Sequence, residues 1–316
     1  MKKKYSVILR SVLFMGTLLI LASCIKDDLS VCIDPRGNVR LTLSLDVNVS
    51  SKTDNSNEYQ IDSAHVYVFD SEDRFVTFAT GGAYTPNQDY EFFFDLEGGE
   101  HYFVVWTNPG DIYKTNYTFA QCGQNNYRSS ELRYYMDISA TNCLSEDIPD
   151  LLYGSHKQDI DGNWNNHVII DMIPETYNIN VKVTGLLEQE DENFEFTITD
   201  NTSYYNFDNS IIRPTDDFTY TRHANQENNE LNVSFKVLRL EKDRDPRFVL
   251  TSLTKSETLY SNSLTDMIRS AYQQANQILN FNETYTFDVL LTFNIDLGVS
   301  VSVNGWKYSP QPGELK

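Results

Sequence analysis

Several segments of the chain alternate between apolar and polar residues, which is the pattern of half-buried β-strands. The clearest example is 39–49, where every second residue is Val or Leu and the residues between them are polar. Turn residues separate most of these segments, so each is predicted as one short strand. The predicted strands are 39–49, 64–69, 75–78, 90–96, 102–106, 167–173, 177–183, 194–198, 231–237, 248–250 and 285–303.

Two regions predict helix. Residues 264–279 place their apolar side chains on one helical face, and Ser263 fits the N-cap position before them. Residues 111–150 have a mixed composition, and helical stretches are expected near 130–138, before a stop at Pro149. We therefore expect a helical insert between strands of the first half and one helix in the second half.

Strict alternation means that each strand has one wet face, which favours antiparallel sheets over parallel ones. The predicted fold is mainly β, with two antiparallel β-sandwich domains. Pro174 lies between two strand patterns, 167–173 and 177–183, and is the predicted boundary between the two domains. The expected parts are a signal at 1–23, a tether at 24–36 and sandwiches at 37–173 and 174–316. Residues expected in the cores include Val104, Trp106, Ile179, Val181, Phe235 and Val289.

The N-terminus predicts export. Three lysines precede an apolar run that is too short to span a membrane and ends at Ala22-Ser23-Cys24. This ending resembles a bacterial lipobox, in which the Cys is acylated and becomes the new N-terminus. We therefore predict lipid anchoring through Cys24, and acyl chains contribute about 0.8 kcal/mol per buried CH₂. An ordinary signal with a chance Cys is the alternative.

After Ile25 come Lys26, Asp27 and Asp28. A Lys and two acids at this position resemble the surface-export signal of Bacteroidetes lipoproteins. The predicted location is therefore the cell outer membrane, with the protein lipid-anchored and exposed at the surface.

The charge of the chain excludes some partners. The formal charge is −20 at pH 7, and loss of the first 23 residues, with four bases and no acid, takes it to −24. Such a chain repels phosphate backbones, so nucleic acid is excluded as a partner. Adsorption to anionic lipid through charge is excluded for the same reason.

Three cysteines remain if Cys24 carries lipid. One disulfide and one free thiol is the simplest arrangement in an oxidising compartment. Cys122 and Cys143 flank part of the insert and are the preferred pair, although spacing alone leaves other pairings with Cys32 open.

No sequence motif of a hydrolase, P-loop or zinc protease occurs. Residues 159–163 begin like a calcium loop but lack its Gly and its distal Glu, so a solvated turn is the better interpretation. We predict no catalytic residues, no metal and no cofactor.

Aromatic residues in polar loops indicate a second kind of ligand. Trp164 lies among Asn and Asp, and Tyr204 and Tyr205 lie in another polar region. Aromatic faces beside amides and carboxylates can hold sugar rings by stacking and hydrogen bonds. These three residues are candidate glycan contacts, and packing of their rings on the sandwich is the alternative.

The order of these features resembles the FimB/Mfa-type family of fimbrial anchor proteins of Bacteroidetes. The resemblance rests on the lipobox with 26–32, the strand 66–70 with its acidic turn, 102–106 with Asn108, and the closing 304–306. It implies transthyretin-like sandwiches, and a lipoprotein that holds a fimbrial shaft subunit at the outer membrane. The insert with Cys122 and Cys143 has no place in the family pattern.

The resemblance also implies a mechanism. Shaft subunits of such fimbriae lose their first strand by cleavage after an Arg, which opens a groove for a donated strand. Here a cut at Arg36 or Arg40 would separate Cys24 from the fold. We therefore expect 39–49 to stay in place and to end the polymer. The predicted contact with the shaft subunit is Val299, Val301, Val303 and Trp306.

Overall fold

The structure is a computed structural model and describes residues 36–44, 59–84, 89–110, 112–116, 128–138, 142–186, 192–212, 216–226, 228–294 and 298–308. Strands of the first half are β1 Arg36–Ser44, β2 Ala64–Asp70, β3 Phe75–Gly81, β4 Tyr90–Glu97, β5 Gly99–Thr107, β6 Tyr113–Thr115, β7 Arg133–Met136, β8 Cys143–Leu144, β9 Leu152–Ile160, β10 Asn166–Asp171 and β11 Ile173–Pro174. Strands of the second half are β12 Thr176–Thr184, β13 Asn193–Asp200, β14 Tyr204–Asn206, β15 Ile211–Ile212, β16 Phe218–Asn225, β17 Glu230–Leu238, β18 Arg247–Ser252, β19 Glu257–Ser263, β20 Thr286–Phe293, β21 Val299–Val303 and β22 Trp306–Tyr308.

These strands form five sheets. Sheet A has the order β10-β1-β4, and sheet B has the order β11-β9-β5-β2-β3. Sheet D has the order β19-β18-β13-β16-β8, and sheet E has the order β17-β12-β20-β21-β22. The fifth sheet, sheet C, is called the bridging sheet from here on. It has the order β15-β14-β7-β6 and takes two strands from each half of the chain. The prediction of a mainly β protein is confirmed.

Sheets A and B pack face to face. The inward residues of β1, among them Val39 and Leu41, lie in one core with Val66 and Val68 of β2 and Phe103 of β5. Sheets D and E share a second core in the same way. The six residues predicted to be in the cores are all buried. Alternation therefore identified the inward faces correctly.

Most of the described strand pairs are antiparallel, as predicted, but three are parallel, so the prediction of antiparallel sheets needs correction at those pairs. In each half the first strand lies beside the last long strand: β1 pairs in parallel with β10, and β12 pairs in parallel with β20. The third parallel pair is β16 with β8. Alternation shows which face of a strand is buried and which is exposed to solvent, but not whether its neighbours run parallel or antiparallel. The parallel pairs could therefore not be predicted from it.

The predicted helix is present but shorter than expected. Helix α1 spans Leu264–Gln274, and the Ser263 hydroxyl accepts a hydrogen bond from the Asp266 N–H at 3.1 Å. Asn276 has φ +56°, a left-handed conformation that ends the helix before 279. In the described residues, no helix has the length and apolarity needed to cross a membrane.

The prediction of helix in the insert is wrong for 130–138. These residues contain one 3₁₀ turn, Ser129–Glu131, followed by strand β7. Leu132, Tyr134 and Met136 are buried while Arg133 and Tyr135 are half-exposed, which is a period of two. This short alternation was present in the sequence but was outweighed by the mixed composition around it.

The bridging sheet covers the face of sheet B that points away from sheet A. Trp106 of β5 stacks on Tyr134 of β7, with ring centroids 4.5 Å apart and planes 6° from parallel. Tyr67 of β2 meets Phe207 edge to face at 4.6 Å. One continuous hydrophobic core therefore runs from sheet B through the bridging sheet into the second half.

We expect Tyr134→Ala to destabilise the fold by about 3–5 kcal/mol, because it removes a buried ring between Trp106 and the bridging sheet. It also removes the hydrogen bond from the Tyr134 hydroxyl to the Thr107 carbonyl, at 3.0 Å. Urea unfolding measures the change. Tyr135→Ala, on the outer face of the same strand, is the control and should cost about 1 kcal/mol. Equal losses would contradict the strand assignment.

Candidate functional site

The first candidate surface is the end of sheet E formed by β21 and β22. Strand β21 pairs with β20 through Val299–Phe293, Val301–Leu291 and Val303–Val289. Strand β22 continues the sheet after a tight turn in which Asn304 and Gly305 have φ +50° and +82°. Two successive residues with positive φ are typical of a type I′ hairpin, the turn that Asn-Gly favours. The Asn304 side chain also donates to the Tyr272 hydroxyl of α1 at 3.0 Å.

Val299, Val301 and Val303 do not form a surface. All three side chains are buried in the core of the second half, so they are not available to a partner. Their alternation marks the inward face of a strand that packs on the protein's own core. Trp306 is 39% exposed and lies on β22, the last strand of its sheet among the described residues. Of the four predicted contact residues, only Trp306 can therefore present its side chain to a partner.

The second candidate feature is β1, which lies in the middle of sheet A. It pairs with β4 from Arg36–Glu97 to Leu43–Tyr90 and with β10 from Val39–Asn166 to Ser44–Asp171. Arg40 forms an ion pair with Glu91 of β4. Gly37 packs so closely that a Cβ would lie 2.4 Å from the Asp161 carbonyl oxygen. Residues 45–49 of the predicted strand lie outside the described residues.

The candidate glycan residues do not form one site. Trp164 is 72% exposed on the turn between β9 and β10, whereas Tyr205 is buried near Trp106. Tyr204 is half-buried and stacks on Tyr135 at 4.9 Å. Trp106 pairs with Tyr153 at one end of β9, and Trp164 follows the other end. At about 3.3 Å per residue, the length of β9 places Trp164 roughly 25 Å from the contact between Trp106 and Tyr205.

The turn that carries Trp164 is held by side chains. The Asn166 amide donates to the carbonyl oxygens of Asp161 and Trp164 at 3.0 and 2.9 Å, and its oxygen accepts from the Asp161 N–H at 3.0 Å. The Asp161 carboxylate accepts from the Asn163 N–H at 2.9 Å. These bonds fix the backbone that presents the exposed indole.

Several predicted positions cannot be placed. Cys24, Lys26, Asp27, Asp28 and Cys122 lie outside the described residues. The sulfur of Cys143, on β8, lies 3.2 Å from the Thr221 hydroxyl. The Cys122–Cys143 disulfide therefore stays a prediction. In the described part of the chain, no cluster of three or more His, Cys, Asp or Glu side chains could hold a metal ion.

Sequence reasoning missed a buried polar cluster at the junction of the two halves. Glu175 lies between β11 and β12 and is fully buried. Its carboxylate lies 3.0 Å from Nη1 of Arg239 and accepts from the Asn209 side-chain amide at 2.7 Å. Arg239 also lies over the Tyr205 ring. A charged residue directly after Pro174, beside an inward-facing Tyr177, was the only sequence signal.

Burial sets the charge state of this cluster. Loss of hydration raises the pKa of Glu175 to about 7, although Arg239 and the Asn209 hydrogen bond favour the charged form. A second buried pair, Asp200 with Arg244, lies nearby in sheet D and its connection to β18. Both pairs are positioned to hold strands together.

Comparison with known proteins identifies the family of this mainly β protein. The structure defines a mainly β protein of packed sheets. The family model described as fimbrillin-A associated anchor proteins Mfa1 and Mfa2 matches residues 29–311. The chain therefore belongs to this family of fimbrial anchor proteins, which confirms the resemblance. The family is structural rather than enzymatic, and it places the chain in cell-surface fimbriae.

Solved structures share the fold. A candidate polysaccharide-binding protein from Bacteroides thetaiotaomicron has a TM-score of 0.70 and 18% identity, over 88% of this chain and 99% of that one. The fimbrial anchor protein Mfa2 from Porphyromonas gingivalis has a TM-score of 0.64 and 15% identity, over 87% and 100%. A candidate adhesin from Bacteroides ovatus has a TM-score of 0.66 and 15% identity, over 88% and 97%. No curated protein matches the sequence significantly.

The raised pKa of Glu175 predicts a pH effect on stability. The ordinary pKa of a glutamate is 4.5, and burial raises the pKa of Glu175 to about 7. Between these two pH values the folded state binds more protons than the unfolded state. The contribution of this group therefore falls as the pH rises through that window. At 1.36 kcal/mol per pKa unit, the loss approaches about 3 kcal/mol.

Glu175→Gln removes the titration and keeps an acceptor for Asn209. We expect its unfolding free energy to be offset from that of the wild type and to lack the decline between pH 4.5 and about 7. Denaturant unfolding at several pH values measures both curves. Parallel curves would show that Glu175 does not titrate in this range.

Proposed function

We propose that this chain is an outer-membrane lipoprotein that holds the last shaft subunit of a fimbria at the cell surface and ends its assembly. Membership of the anchor family supports the role, and the lipobox-like Cys24 with Lys26, Asp27 and Asp28 supports acylation and export to the surface. The transthyretin-like arrangement and the division of the chain at residue 174 belong to the same proposal.

The observation that carries the proposal is the position of β1. A donated strand needs an open groove, with unpaired backbone and pockets for alternate side chains. Strand β1 has partners on both sides, and Val39, Leu41 and Leu43 fill the core. A subunit that keeps this strand offers no groove in sheet A, so a polymer built by strand exchange stops there.

The shaft subunit then needs another surface, and the end of sheet E is our candidate. Strand β22 ends this sheet among the described residues, and an edge strand accepts an added strand through its backbone. Trp306 would supply an apolar contact beside that edge, because exposed indoles are frequent at the centre of protein interfaces.

A glycan-binding surface protein is the second candidate. The exposed Trp164 on its side-chain-braced turn favours it, since an indole face held among Asn and Asp can stack on a sugar ring. The Bacteroides thetaiotaomicron structure is described as a candidate polysaccharide-binding protein, which is consistent with this role. The buried Tyr205 is not part of such a site.

Two variants test anchoring. Trp306→Ala should leave the chain on the cell and release fimbriae into the medium, because only the contact with the shaft subunit is weakened. Cys24→Ala should release both or leave the chain unprocessed. Immunoblots of cells, membranes and medium for this chain and for the shaft subunit measure the outcome. Fimbriae that stay cell-bound in the Trp306 variant would contradict the proposed contact. Membrane retention and mature size that are unchanged in the Cys24 variant would contradict lipid anchoring.

Trp164→Ala is the matched control in that assay and the test of the second candidate. It removes an exposed indole on the turn between β9 and β10 rather than on β22, so fimbriae should stay attached. On an array of neutral glycans, loss of one stacking ring should weaken binding about fivefold, since such a contact contributes roughly 1 kcal/mol. Equal glycan binding by the Trp164 variant and the wild type, or no binding by either, would exclude this role for Trp164.

A further inference from the structure

The outer face of sheet A carries large apolar side chains that no described element covers. On the middle strand β1, the buried residues alternate with Asn38 and Arg40, which are exposed on this face. Phe93 on β4 is 71% exposed and Ile169 on β10 is 53% exposed. Phe93 pairs with Arg40 and Ile169 pairs with Thr42, so both lie on the same face. Single exposed apolar residues are normal on protein surfaces, whereas a group of them on one face indicates a binding surface.

Sheet E allows a comparison within the molecule, because its strand β12 lies between β17 and β20 as β1 lies between β4 and β10. In both sheets the middle strand has one antiparallel and one parallel neighbour. The outward residues of β12 and β17 are polar and include Asn178, Asn180, Lys182, Asn232, Ser234 and Lys236. An exposed ring on the outer face is therefore not required by this arrangement of strands.

Polar side chains surround Phe93 and hold one another in place. The guanidinium Nε of Arg40 donates to the Glu91 carboxylate at 2.7 Å. On the other side of β1, Nε2 of His167 lies 2.9 Å from the Thr42 hydroxyl. Contacts of this kind restrict the side chains before a ligand arrives, which lowers the entropy cost of binding.

The same face reaches the turn that carries Trp164. Asn165 follows Trp164, and its side-chain oxygen accepts from the Asn38 amide at 3.5 Å. Asn38 in turn pairs with Asp95 of β4. Amide and carboxylate groups therefore form a row across sheet A, between the exposed indole of Trp164 and the exposed ring of Phe93.

The two aromatic residues are too far apart to serve one small ring. Arg40 is level with Phe93 on β4 and with His167 on β10, and Trp164 precedes His167 by three residues. At about 3.3 Å per residue along a strand and about 4.8 Å between strands, the Cα atoms of Trp164 and Phe93 are roughly 14 Å apart. Stacked rings lie about 4.5–7 Å apart, so each aromatic residue would meet a different ring of an extended ligand.

The charges of this face select against anionic ligands. Four carboxylates lie among its outward residues, those of Glu91, Asp95, Glu97 and Asp171, against the guanidinium groups of Arg36 and Arg40. This excess of acid repels a uronic acid or a sulfated sugar. Neutral hydroxyl groups can instead donate to the carboxylates and accept from the amides.

The distribution of apolar groups favours a sugar over a protein partner. Arg40 and Thr42 of β1 lie between Phe93 and Ile169, so the apolar side chains do not form one continuous centre. A protein interface has an apolar centre from which charged residues are depleted. A sugar ring presents apolar C–H faces and polar hydroxyl edges, which match alternating apolar and hydrogen-bonding groups.

We propose that the outer face of sheet A, from Trp164 to Phe93, binds a neutral oligosaccharide. The inference rests on glycan binding, the second candidate function, and adds a stacking residue and a ligand class to it. Phe93 and Trp164 stack on different sugar rings of one chain. Asn38 and Asp95, in the row between them, hydrogen-bond the hydroxyl groups of the intervening part.

Calorimetric titration of the full-length chain, in a detergent without sugar head groups, tests the proposal. The probes are neutral gluco-, manno- and xylo-oligosaccharides, from monosaccharide to hexasaccharide. Affinity should rise once the oligosaccharide is long enough to reach both aromatic residues. Phe93→Ala should weaken binding of the long members about fivefold, the effect of losing one stacked ring.

Three further variants separate stacking from general effects. Phe93→Tyr keeps the ring and should bind like the wild type, whereas Phe93→Leu keeps an apolar side chain without a ring and should bind like Phe93→Ala. Ile278→Ala is the control, because Ile278 is 93% exposed in the second half, away from sheet A. It should leave affinity unchanged. Unfolding midpoints equal to that of the wild type show that the variants are folded.

Several results would overturn the proposal. If Trp164→Ala weakens binding but Phe93→Ala does not, the inference is wrong and the Trp164 site remains. If the wild type binds none of the oligosaccharides, both the inference and the second candidate function are wrong. Tighter binding of oligogalacturonates than of the neutral series would contradict the ligand class. Release of fimbriae by Phe93→Ala, with glycan binding unchanged, would identify this face as a protein contact.

Discussion

The burial of both faces of β2 and β5, the central strands of sheet B, is a constraint that shapes the layers around them. Val66 and Val68 of β2 face sheet A, while Tyr67 and Phe69 of the same strand face the bridging sheet. A strand with two buried faces cannot stand at the surface of a domain, so the insert has to supply a covering layer. This requirement explains why residues that lack a strong strand signal nevertheless pair with strands from the second half.

The same constraint decides what the sequence can predict. Strands with one wet face, such as β1, β12 and β20, are evident from alternation, and helix α1 is evident from its apolar face and Ser263. Strand β7 was missed because its partners, β6 and β14, are short and distant in sequence, so only tertiary pairing stabilises it. The valines of β21 were recognised as a strand but assigned to a partner, because alternation does not say whether an apolar face meets the core or another protein.

Charged residues at the junction add specificity to this apolar contact. Removing Glu175 and Arg239 from water carries a large desolvation penalty, and their attraction offsets it only in a favourable geometry. The Asn209 amide and the ring of Tyr205 complete that geometry from the segment that forms the bridging sheet. Apolar faces tolerate sliding, whereas a buried ion pair favours one arrangement, so the cluster ties the 205–209 segment next to the bridging sheet to Glu175 and Arg239.

This arrangement also bears on how an anchor would carry load. A pull applied to the N-terminal end of β1 along the strand acts parallel to its backbone. Strand β1 is hydrogen-bonded along both sides, to β4 and to β10, and a pull parallel to the strand loads those bonds together rather than one after another. From sheet A the load passes through the shared core to sheet B, and from sheet B through the Trp106–Tyr134 stack to the second half. A wet, loosely packed junction would yield first under such a load. A continuous core with an interlocked bridging sheet therefore suits a protein that is held at one end and pulled at the other.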